Sequence, residues 1–441
     1  MFPYHHIPKR ERSKETETEK GATPLSPSDP RFSESVHPPL VDLALYRALR
    51  NRPVDRRHTA SIKWERHLLP PGTPPPEGWI ALSVADMDFP APAAVVEALR
   101  RRVEEGLFGY TYVGDGATRA VVDWLLRRHG WAVDEQALLF APGVIPAIAL
   151  AIEALTPPGT PVVVFPPVYG PFYRAIEAAR RKAVDVPLLK EGPAEAPRYR
   201  IDVDALRSAL DETGARAILL CHPHNPGGRV FTRDELAVVA GLAERAGVVL
   251  LSDEIHADLT HPPATFTSLA ALPEAAGRTV AFWSPGKTFN LPGLRIAYAV
   301  VLNPELRTAL RTALERLHLH LPNALGITAL EAAYRHGEGW LEAVLAVIRE
   351  NIAFVRDAFA RALPEVRVMP PEGTTLVWMD LSALPYDEKE LRRRIVDRAR
   401  VGVNFGGEFG PGGAGHIRLN VATARPVLEE GVGRLIETLR P

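Results

Sequence analysis

The chain has 441 residues, of which 46% are hydrophobic, and its 52 lysine and arginine residues nearly balance 53 aspartate and glutamate residues, leaving a formal net charge of -1. That length exceeds what one hydrophobic core usually holds, and the balanced charge excludes the strongly basic surfaces typical of proteins that bind nucleic acid or anionic membranes. The single cysteine, Cys221, excludes an internal disulfide and fits a reducing compartment.

The N-terminal region is polar and rich in proline, serine and threonine. Residues 1–38 lack the apolar segment of a secretory signal and are predicted to form a disordered tail. Order is predicted to begin with a short helix near residues 41–50. The chain contains no apolar run of the roughly 18 residues that a bilayer-spanning helix needs, so we expect a cytoplasmic enzyme acting on a small molecule, with no membrane or nucleic-acid partner.

From residue 136 onward, short apolar runs alternate with helical patterns. Strands that are apolar throughout and separated by helices predict a mainly parallel sheet covered by helices, an α/β fold. A helical region follows Pro304 to about residue 363, and three further strands with flanking helices predict a smaller α+β domain at the C-terminus. The strands are predicted at residues 137–140, 161–165, 217–221, 248–252, 279–283, 366–369, 375–380 and 416–420.

Polar or glycine-containing motifs follow several of the predicted strands, at the sheet edge where ligands gather in a doubly wound fold. After the first strand, a turn containing Gly143, Val144 and Ile145 precedes an apolar helix predicted at residues 147–155, and free backbone amides at this helix start could cradle a phosphate; a plain strand-to-helix connection has the same pattern. Tyr169 follows the second strand. Its ring could stack on a planar cofactor or simply pack in the core.

Two more polar residues follow the next two strands. Asn225 lies in a turn between prolines and glycines, where its amide could donate to a ring oxygen or serve only as a turn former. Asp253 ends a buried strand, and a buried carboxylate is costly unless it faces a cation or caps a helix. His222 and His224 flank the Asn225 turn without further ligands at metal-binding spacing, so no metal site is predicted.

Lys287 lies in the stretch from Ser284 to Arg295, among small and turn-forming residues directly after an apolar strand. This setting holds the amine near backbone, and a partly dry, electropositive pocket would lower its pKa and let it form a Schiff base. A solvated loop lysine is the alternative for such a motif taken alone. Together with Asp253, Asn225, Tyr169 and the phosphate cradle, however, it predicts a site for pyridoxal phosphate (PLP).

Several motifs also resemble those of a known family, the fold-type I PLP enzymes of the class I/II aminotransferase superfamily, over about residues 40–440. Within it the chain is similar to the bacterial cystathionine beta-lyase branch, the carbon–sulfur lyases that include the maltose-regulon modulator. The motifs specific to that branch are Ala-Asp-Met-Asp-Phe at 85–89 and Phe-Gly-Tyr at 108–110. The others are Ser-Ile-Lys-Trp at 61–64, His-Asn-Pro-Gly-Gly at 224–228, Ser-Asp-Glu-Ile-His at 252–256 and Lys-Thr-Phe-Asn at 287–290.

The resemblance implies a role for each matching residue. Lys287 would hold PLP and remove the substrate α-proton, Asp253 would pair with the ring nitrogen, and Asn225 would bind the ring 3-oxygen. Tyr169 would stack on the ring, and Arg418 would clamp the substrate carboxylate. The phosphate contacts would come from the Val144 and Ile145 amides, Ser284 and Arg295. Tyr110 would reach the phosphate of a neighbouring subunit, which implies a homodimer with shared active sites.

Four residues depart from the family pattern. Pro285 and Gly286 stand where relatives often carry small polar residues, Arg295 resembles the aminotransferases more than some lyases of the branch, and His256, a further cofactor contact, replaces a tyrosine of aspartate aminotransferases. The function implied is cleavage of cystathionine or a related cysteine S-conjugate to a thiol, pyruvate and ammonia. An aminotransferase acting on an L-amino acid is the alternative. A purely regulatory protein is disfavoured because Lys287 and Asp253 are both present.

The resemblance also divides the chain into regions. The tail would be followed by an N-terminal segment, residues 39–90, which contributes to the small domain and to dimer contacts. The PLP-binding large domain would span residues 91–320, and the small C-terminal domain residues 321–441.

Overall fold

The computed structural model describes residues 41–69, 73–193 and 195–441, so the predicted tail lies outside the described residues. The α-helices of the described residues are α1 Leu43–Asn51, α2 Ile62–Glu65, α3 Ala93–Glu104, α4 Asp115–His129, α5 Val144–Leu155, α6 Pro171–Ala178, α7 Val203–Thr213, α8 Arg233–Ala246, α9 Pro273–Ala276, α10 Pro285–Thr288, α11 Pro304–Arg316, α12 Ala324–His336, α13 Glu338–Ala362, α14 Glu388–Arg392 and α15 Arg425–Leu439.

The strands alternate with these helices through the middle of the chain. They are β1 Ile80–Ala81, β2 Leu138–Ala141, β3 Pro161–Val164, β4 Lys182–Asp185, β5 Leu189–Glu191, β6 Arg198–Arg200, β7 Ala217–Cys221, β8 Val249–Asp253, β9 Thr279–Trp283, β10 Ala297–Val300, β11 Arg367–Met369, β12 Leu376–Asp380, β13 Val401–Gly402, β14 Asn404–Phe405 and β15 His416–Asn420.

The large sheet has seven strands in the order β2-β10-β9-β8-β7-β3-β4. The pairs β9-β8, β8-β7, β7-β3 and β3-β4 are parallel, whereas β10 runs antiparallel to both of its neighbours. The strands β7, β8 and β9 are therefore neighbours, and their carboxyl ends lie side by side. The prediction of a mainly parallel sheet is confirmed, although the sequence did not indicate the antiparallel strand.

The helices begin and end where local signals place them. In α8, the Thr232 hydroxyl accepts from the backbone of Glu235 and the Glu235 carboxylate accepts from the backbone of Thr232, which together form a capping box. Gly247 ends the helix at a φ of 64°, a left-handed conformation that glycine adopts without steric cost. The helix α5 is buried along much of its length and packs against the large sheet.

The second sheet has four antiparallel strands in the order β11-β12-β15-β14 and belongs to the C-terminal part of the chain. The predicted helical region after Pro304 consists of α11, α12 and α13. A separate short pair joins Ile80 and Ala81 to β13; directly after it, the Leu82 amide donates to the Gly402 carbonyl and the Leu82 carbonyl accepts from the backbone of Asn420. None of the helices in the described ranges is long and apolar enough to span a membrane.

Candidate active site

Lys287 lies in α10, a four-residue turn that follows β9. The turn begins at Ser284, whose hydroxyl accepts from the Gly286 amide at 2.9 Å and donates to the Ile296 carbonyl oxygen at 2.7 Å. The Lys287 Nζ donates to the backbone oxygen of Ala85 at 2.6 Å. The amine is therefore held against backbone, as the sequence predicted.

The surroundings of Lys287 increase the fraction of its amine that is neutral. Burial lowers the pKa of Lys287 to about 8; the charge of Arg418 lowers it too, while the carboxylates of Asp86 and Asp253 oppose the change. A lysine amine with that pKa is partly neutral near neutral pH. It can therefore act both as a nucleophile and as a base.

Asp253 ends β8, beside the strand that leads to Lys287. Its side chain is 4% exposed, and its Oδ1 accepts from the Ile255 amide at 3.2 Å. Burial raises the pKa of this carboxyl to about 7, and neither the Ile255 hydrogen bond nor the charge of Lys287 cancels the effect. A buried carboxylate in this state is stabilised by any cation brought next to it.

This raised pKa leads to a prediction about stability without cofactor. From about pH 4 to about pH 7 the unfolded chain ionises Asp253 more readily than the folded chain does, so the folded state loses stability over that interval. Asp253→Asn removes this cost while keeping the shape. We expect the variant apoprotein to unfold at a higher temperature than the unaltered apoprotein at about pH 8, with the difference vanishing near pH 4. Thermal unfolding at both pH values measures this; a variant that is less stable at the higher pH would contradict it.

Arg418 lies on β15, one of the two inner strands of the C-terminal sheet, yet it reaches the end of β7. Its Nη1 donates to Asn225 Oδ1 at 2.8 Å and its Nη2 to Asn404 Oδ1 at 2.6 Å, while the guanidinium lies 4.9 Å from the centre of the Phe409 ring. Its buried Nε has no partner among the described residues. Burial lowers the pKa of Arg418 to about 10, so the group stays cationic at neutral pH.

Two ring residues lie close to this group of side chains. Tyr169 is partly buried, with its ring edge-on to Phe172 at 5.9 Å, and its pKa is raised by burial and influenced by the charges of Arg418 and Asp253. His256 is 3% exposed, and within the described part of the chain its Nδ1 has no hydrogen-bond partner. Burial and the charges of Lys287 and Arg418 hold the pKa of His256 well below its usual value, so the ring is neutral.

The predicted phosphate contacts differ in their surroundings. Val144 and Ile145 open α5 behind Gly143, whose φ is 151°, so their amides belong to the first turn and lack intrahelical acceptors. The Ser284 hydroxyl already bonds to protein atoms. Arg295 is exposed, in a left-handed conformation with φ of 50°, and forms no ion pair with the residues described.

Comparison with known proteins identifies the family. The sequence profile of "Aminotransferase class I and II" matches residues 77–435. The chain belongs to the class I and II aminotransferases.

Two related proteins and one solved structure show which branch of the family this chain resembles. The chain is 36% identical over 384 residues to cystathionine beta-lyase PatB of Bacillus subtilis, covering 86% of this chain and 97% of that protein. It is 33% identical over 392 residues to Protein MalY of Escherichia coli, with 88% and 97% covered. The crystal structure of cystalysin from Treponema denticola, which contains pyridoxal 5'-phosphate, superposes with a TM-score of 0.82 at 31% identity and covers 88% of this chain and 98% of that one. The resemblance to the cystathionine beta-lyase branch and the PLP fold type I are therefore confirmed.

Tyr110 stands apart from the buried group of predicted site residues. It is fully exposed, in an irregular segment whose other large side chains are also exposed: Leu107 at 71%, Phe108 at 59% and Tyr112 at 78%. Such a cluster of large exposed apolar side chains is unusual for a monomeric soluble protein. The structure does not bring Tyr110 into contact with Lys287 of the same chain.

The Ala-Asp-Met-Asp-Phe motif at residues 85–89 makes contacts that its sequence did not predict. The Asn290 side chain donates to the backbone oxygens of Met87 and Phe89 and accepts from the Met87 amide. Asn420 donates to the carbonyls of Val84 and Asp86. These bonds hold the Ala85 carbonyl opposite Lys287. The motif thus shapes one wall of the site through its backbone.

A buried ion-pair network supports the same loop from behind. Asp88 accepts from Lys63 Nζ at 2.7 Å, from Trp64 Nε1 at 2.9 Å and from Arg56 Nη1 at 3.0 Å. Arg56 also bonds to Asp86 Oδ2 at 2.8 Å. Both the Ser-Ile-Lys-Trp motif and the Asp-Met-Asp motif were visible in the sequence, but nothing in their spacing indicated that they pair.

Proposed function

We propose that this protein is a PLP-dependent carbon–sulfur β-lyase that converts cystathionine or a related cysteine S-conjugate to a thiol, pyruvate and ammonia. The observation that carries the proposal is the convergence of a lysine of lowered pKa and a buried carboxylate at neighbouring strand ends with a buried arginine of the C-terminal sheet, in a chain similar to cystathionine beta-lyases over most of its length.

The residues present fit PLP. Asp253 offers a buried carboxylate of raised pKa to a protonated ring nitrogen, and the first turn of α5 offers free amides to a phosphate. The unpartnered Nδ1 of His256 and the half-buried Tyr169 ring supply a polar and a stacking contact. When bound, PLP supplies an electron-withdrawing ring that accepts the charge left when a bond at the substrate α-carbon breaks.

The chain's own residues divide the remaining work. Lys287, neutral in a larger fraction than an ordinary lysine, binds the cofactor and then carries the α-proton. Asp253 keeps the positive ring nitrogen in place. Asn225 is already bonded to Arg418, so the ring contact and the carboxylate clamp form one rigid unit. That rigidity orients the bond to be broken.

A substrate panel tests the reaction. The purified enzyme is mixed with cystathionine and with S-alkyl cysteines and scored for pyruvate, and in parallel for pyridoxamine phosphate after an amino acid is added alone. We expect pyruvate in stoichiometric yield with the released thiol. Accumulation of pyridoxamine phosphate without pyruvate would establish the aminotransferase alternative, for which the same residues suffice.

Arg418 is proposed to bind the substrate α-carboxylate. Arg418→Lys keeps the charge but loses the planar pair of donors, and hydrogen bonds to charged groups contribute about 1.5–3 kcal/mol. We therefore expect KM to rise by roughly 10- to 100-fold, with a smaller change in kcat. Steady-state kinetics with cystathionine measures this. An unchanged KM would show that the carboxylate binds elsewhere.

We also propose a cytoplasmic homodimer whose subunits share active sites. The exposed side chains of Leu107, Phe108, Tyr110 and Tyr112 form the surface that a second copy would cover. In this arrangement Tyr110 contributes to the partner's phosphate site. Sedimentation of the protein and of Phe108→Asp tests it: a monomeric native protein would contradict the proposal, and dissociation of the variant would support it.

A further inference from the structure

Asp258 is a buried carboxylate directly beneath the turn that carries Lys287, and none of the roles described so far involves it. It lies in the 3-10 turn Ala257–Leu259, and its side chain is 3% exposed. Its Oδ1 accepts from Trp124 Nε1 at 3.1 Å and pairs with His129 Nε2 at 2.8 Å, while its Oδ2 accepts from the Thr288 hydroxyl at 2.7 Å.

These contacts keep the carboxylate ionised in spite of its burial. Burial by itself raises the pKa of Asp258, but the hydrogen bond and charge of His129, with help from Arg128 and Thr288, bring it below its usual value. A buried charge is expensive unless nearly all of its acceptor positions are used. The position of Asp258 is therefore specified by three donors from two different elements, α4 and α10.

Thr288 is the residue immediately after Lys287, so the contact acts on the lysine turn itself. Adjacent residues of a helical turn point about 100° apart, and here Lys287 reaches Ala85 while Thr288 reaches Asp258. The turn has only four residues and few internal hydrogen bonds. Its rotation about its own axis must therefore be set by side chains that reach outside it.

We propose that Asp258 is a positioning residue for Lys287, acting through the Thr288 hydroxyl to fix the direction in which the lysine amine points. This inference deepens the lyase proposal. It rests on that proposal only where the test measures kcat and KM. The residue next along, Phe289, packs edge-on to Trp124 at a centroid distance of 5.5 Å, so the same donor of α4 contacts both the carboxylate and the turn. The direction of the Lys287 amine is thereby fixed through Thr288 and Phe289 as well as by its hydrogen bond to the Ala85 carbonyl oxygen.

Thr288→Val and Thr288→Ser test the proposal, because valine keeps the side-chain shape and loses the hydroxyl, whereas serine keeps the hydroxyl. Misplacing a reacting group by about 1 Å can cost about 100-fold in rate. For Thr288→Val we expect kcat to fall roughly 10- to 100-fold with KM changed less than about twofold. Thr288→Ser should restore most of the rate. Asp258→Asn should act in the same direction as the valine variant.

A second readout does not depend on catalysis. The full-length chain, stripped of cofactor, is acylated over a range of pH, and the modification of Lys287 is followed by mass spectrometry. In the native chain the midpoint should lie near the pKa of about 8. In Thr288→Val it should move up by at least about half a pH unit, because a looser amine is better solvated. Thr288→Ser should return it.

The matched control is Thr279→Val, which removes another buried threonine hydroxyl at the opposite end of β9, where it donates to the Ala275 carbonyl oxygen at 2.7 Å. If Thr288→Val lowers only the unfolding temperature, as the control does, with kcat and the labelling midpoint unchanged, Asp258 is structural and the proposal is wrong. A shifted midpoint in a chain that makes no pyruvate would keep the positioning role and overturn the lyase assignment.

Discussion

Replacement of Lys287 by alanine should reduce the rate of pyruvate formation by about 10³- to 10⁴-fold, because the variant lacks the group that transfers the α-proton. It also lacks the amine that holds the cofactor covalently. In the native enzyme, borohydride reduction followed by mass spectrometry should place the cofactor on Lys287; in Lys287→Ala no reduced adduct should form. Rate and adduct are therefore expected to disappear together.

The control for this experiment is Lys182→Ala, which removes an exposed lysine on the edge strand β4. It should leave both the rate and the adduct unchanged. A reducible adduct that persists in Lys287→Ala would show that another lysine carries the cofactor, and the site assignment would fail. Loss of the adduct with normal pyruvate formation would separate cofactor attachment from proton transfer.

The largest effect on stability is expected from Asp88→Ala. The side chains of Lys63 and Asp88 are 0% and 2% exposed, and Asp88, at 2.7 Å, is the only carboxylate paired with Lys63 among the described residues; Lys63 Nζ also donates to the Asp86 carbonyl oxygen at 3.3 Å. Removing one partner of a buried pair leaves an uncompensated charge and costs about 3–5 kcal/mol. We expect the free energy of unfolding to fall by that amount, measured by urea denaturation with the slope unchanged.

Asp55→Ala is the comparison, since Asp55 pairs with Arg57 at 2.7 Å with both side chains about 60% exposed. An exposed pair of this kind contributes little, so the denaturation midpoint should stay where it is. Equal midpoints for the Asp88 and Asp55 variants would mean that the Lys63 charge finds another partner or water. The same Asp88 variant should also lower activity, because Asp88 supports the loop that bears the Ala85 carbonyl.

Much of the site was accessible from sequence because the strands that carry it are locally encoded. The run at residues 217–221 is apolar throughout and that at residues 279–283 is apolar after its first residue, and the structure forms β7 and β9 over those same residues. Each candidate site residue could then be located by the predicted strand that precedes it. A parallel sheet brings such positions to one edge, so Asn225, Asp253 and Lys287 could be grouped before any coordinates were known.

Contacts between residues far apart in the chain could not be read in this way. The bond between Arg418 and Asn225 joins residues 193 positions apart, and that between Asn290 and Met87 joins residues 203 apart. No periodicity encodes such pairs, because they depend on how the C-terminal sheet and the 84–89 loop pack onto the large sheet. The antiparallel strand β10 was missed for a related reason: strand direction is a property of the pairing, not of the four residues Ala297–Val300.

By itself, the sequence determined which residues could carry the chemistry: the amine of Lys287, the carboxylate of Asp253 and the amide of Asn225 each lie at or just after the end of an apolar run that predicts a strand. The tertiary structure decided how these groups affect one another. Burial lowers the pKa of Lys287 to about 8 and raises that of Asp253 to about 7, and Asp258 reaches the lysine turn only because β8 and β9 are neighbours. Solvation and through-space charge depend on three-dimensional neighbours, and only the folded chain supplies them.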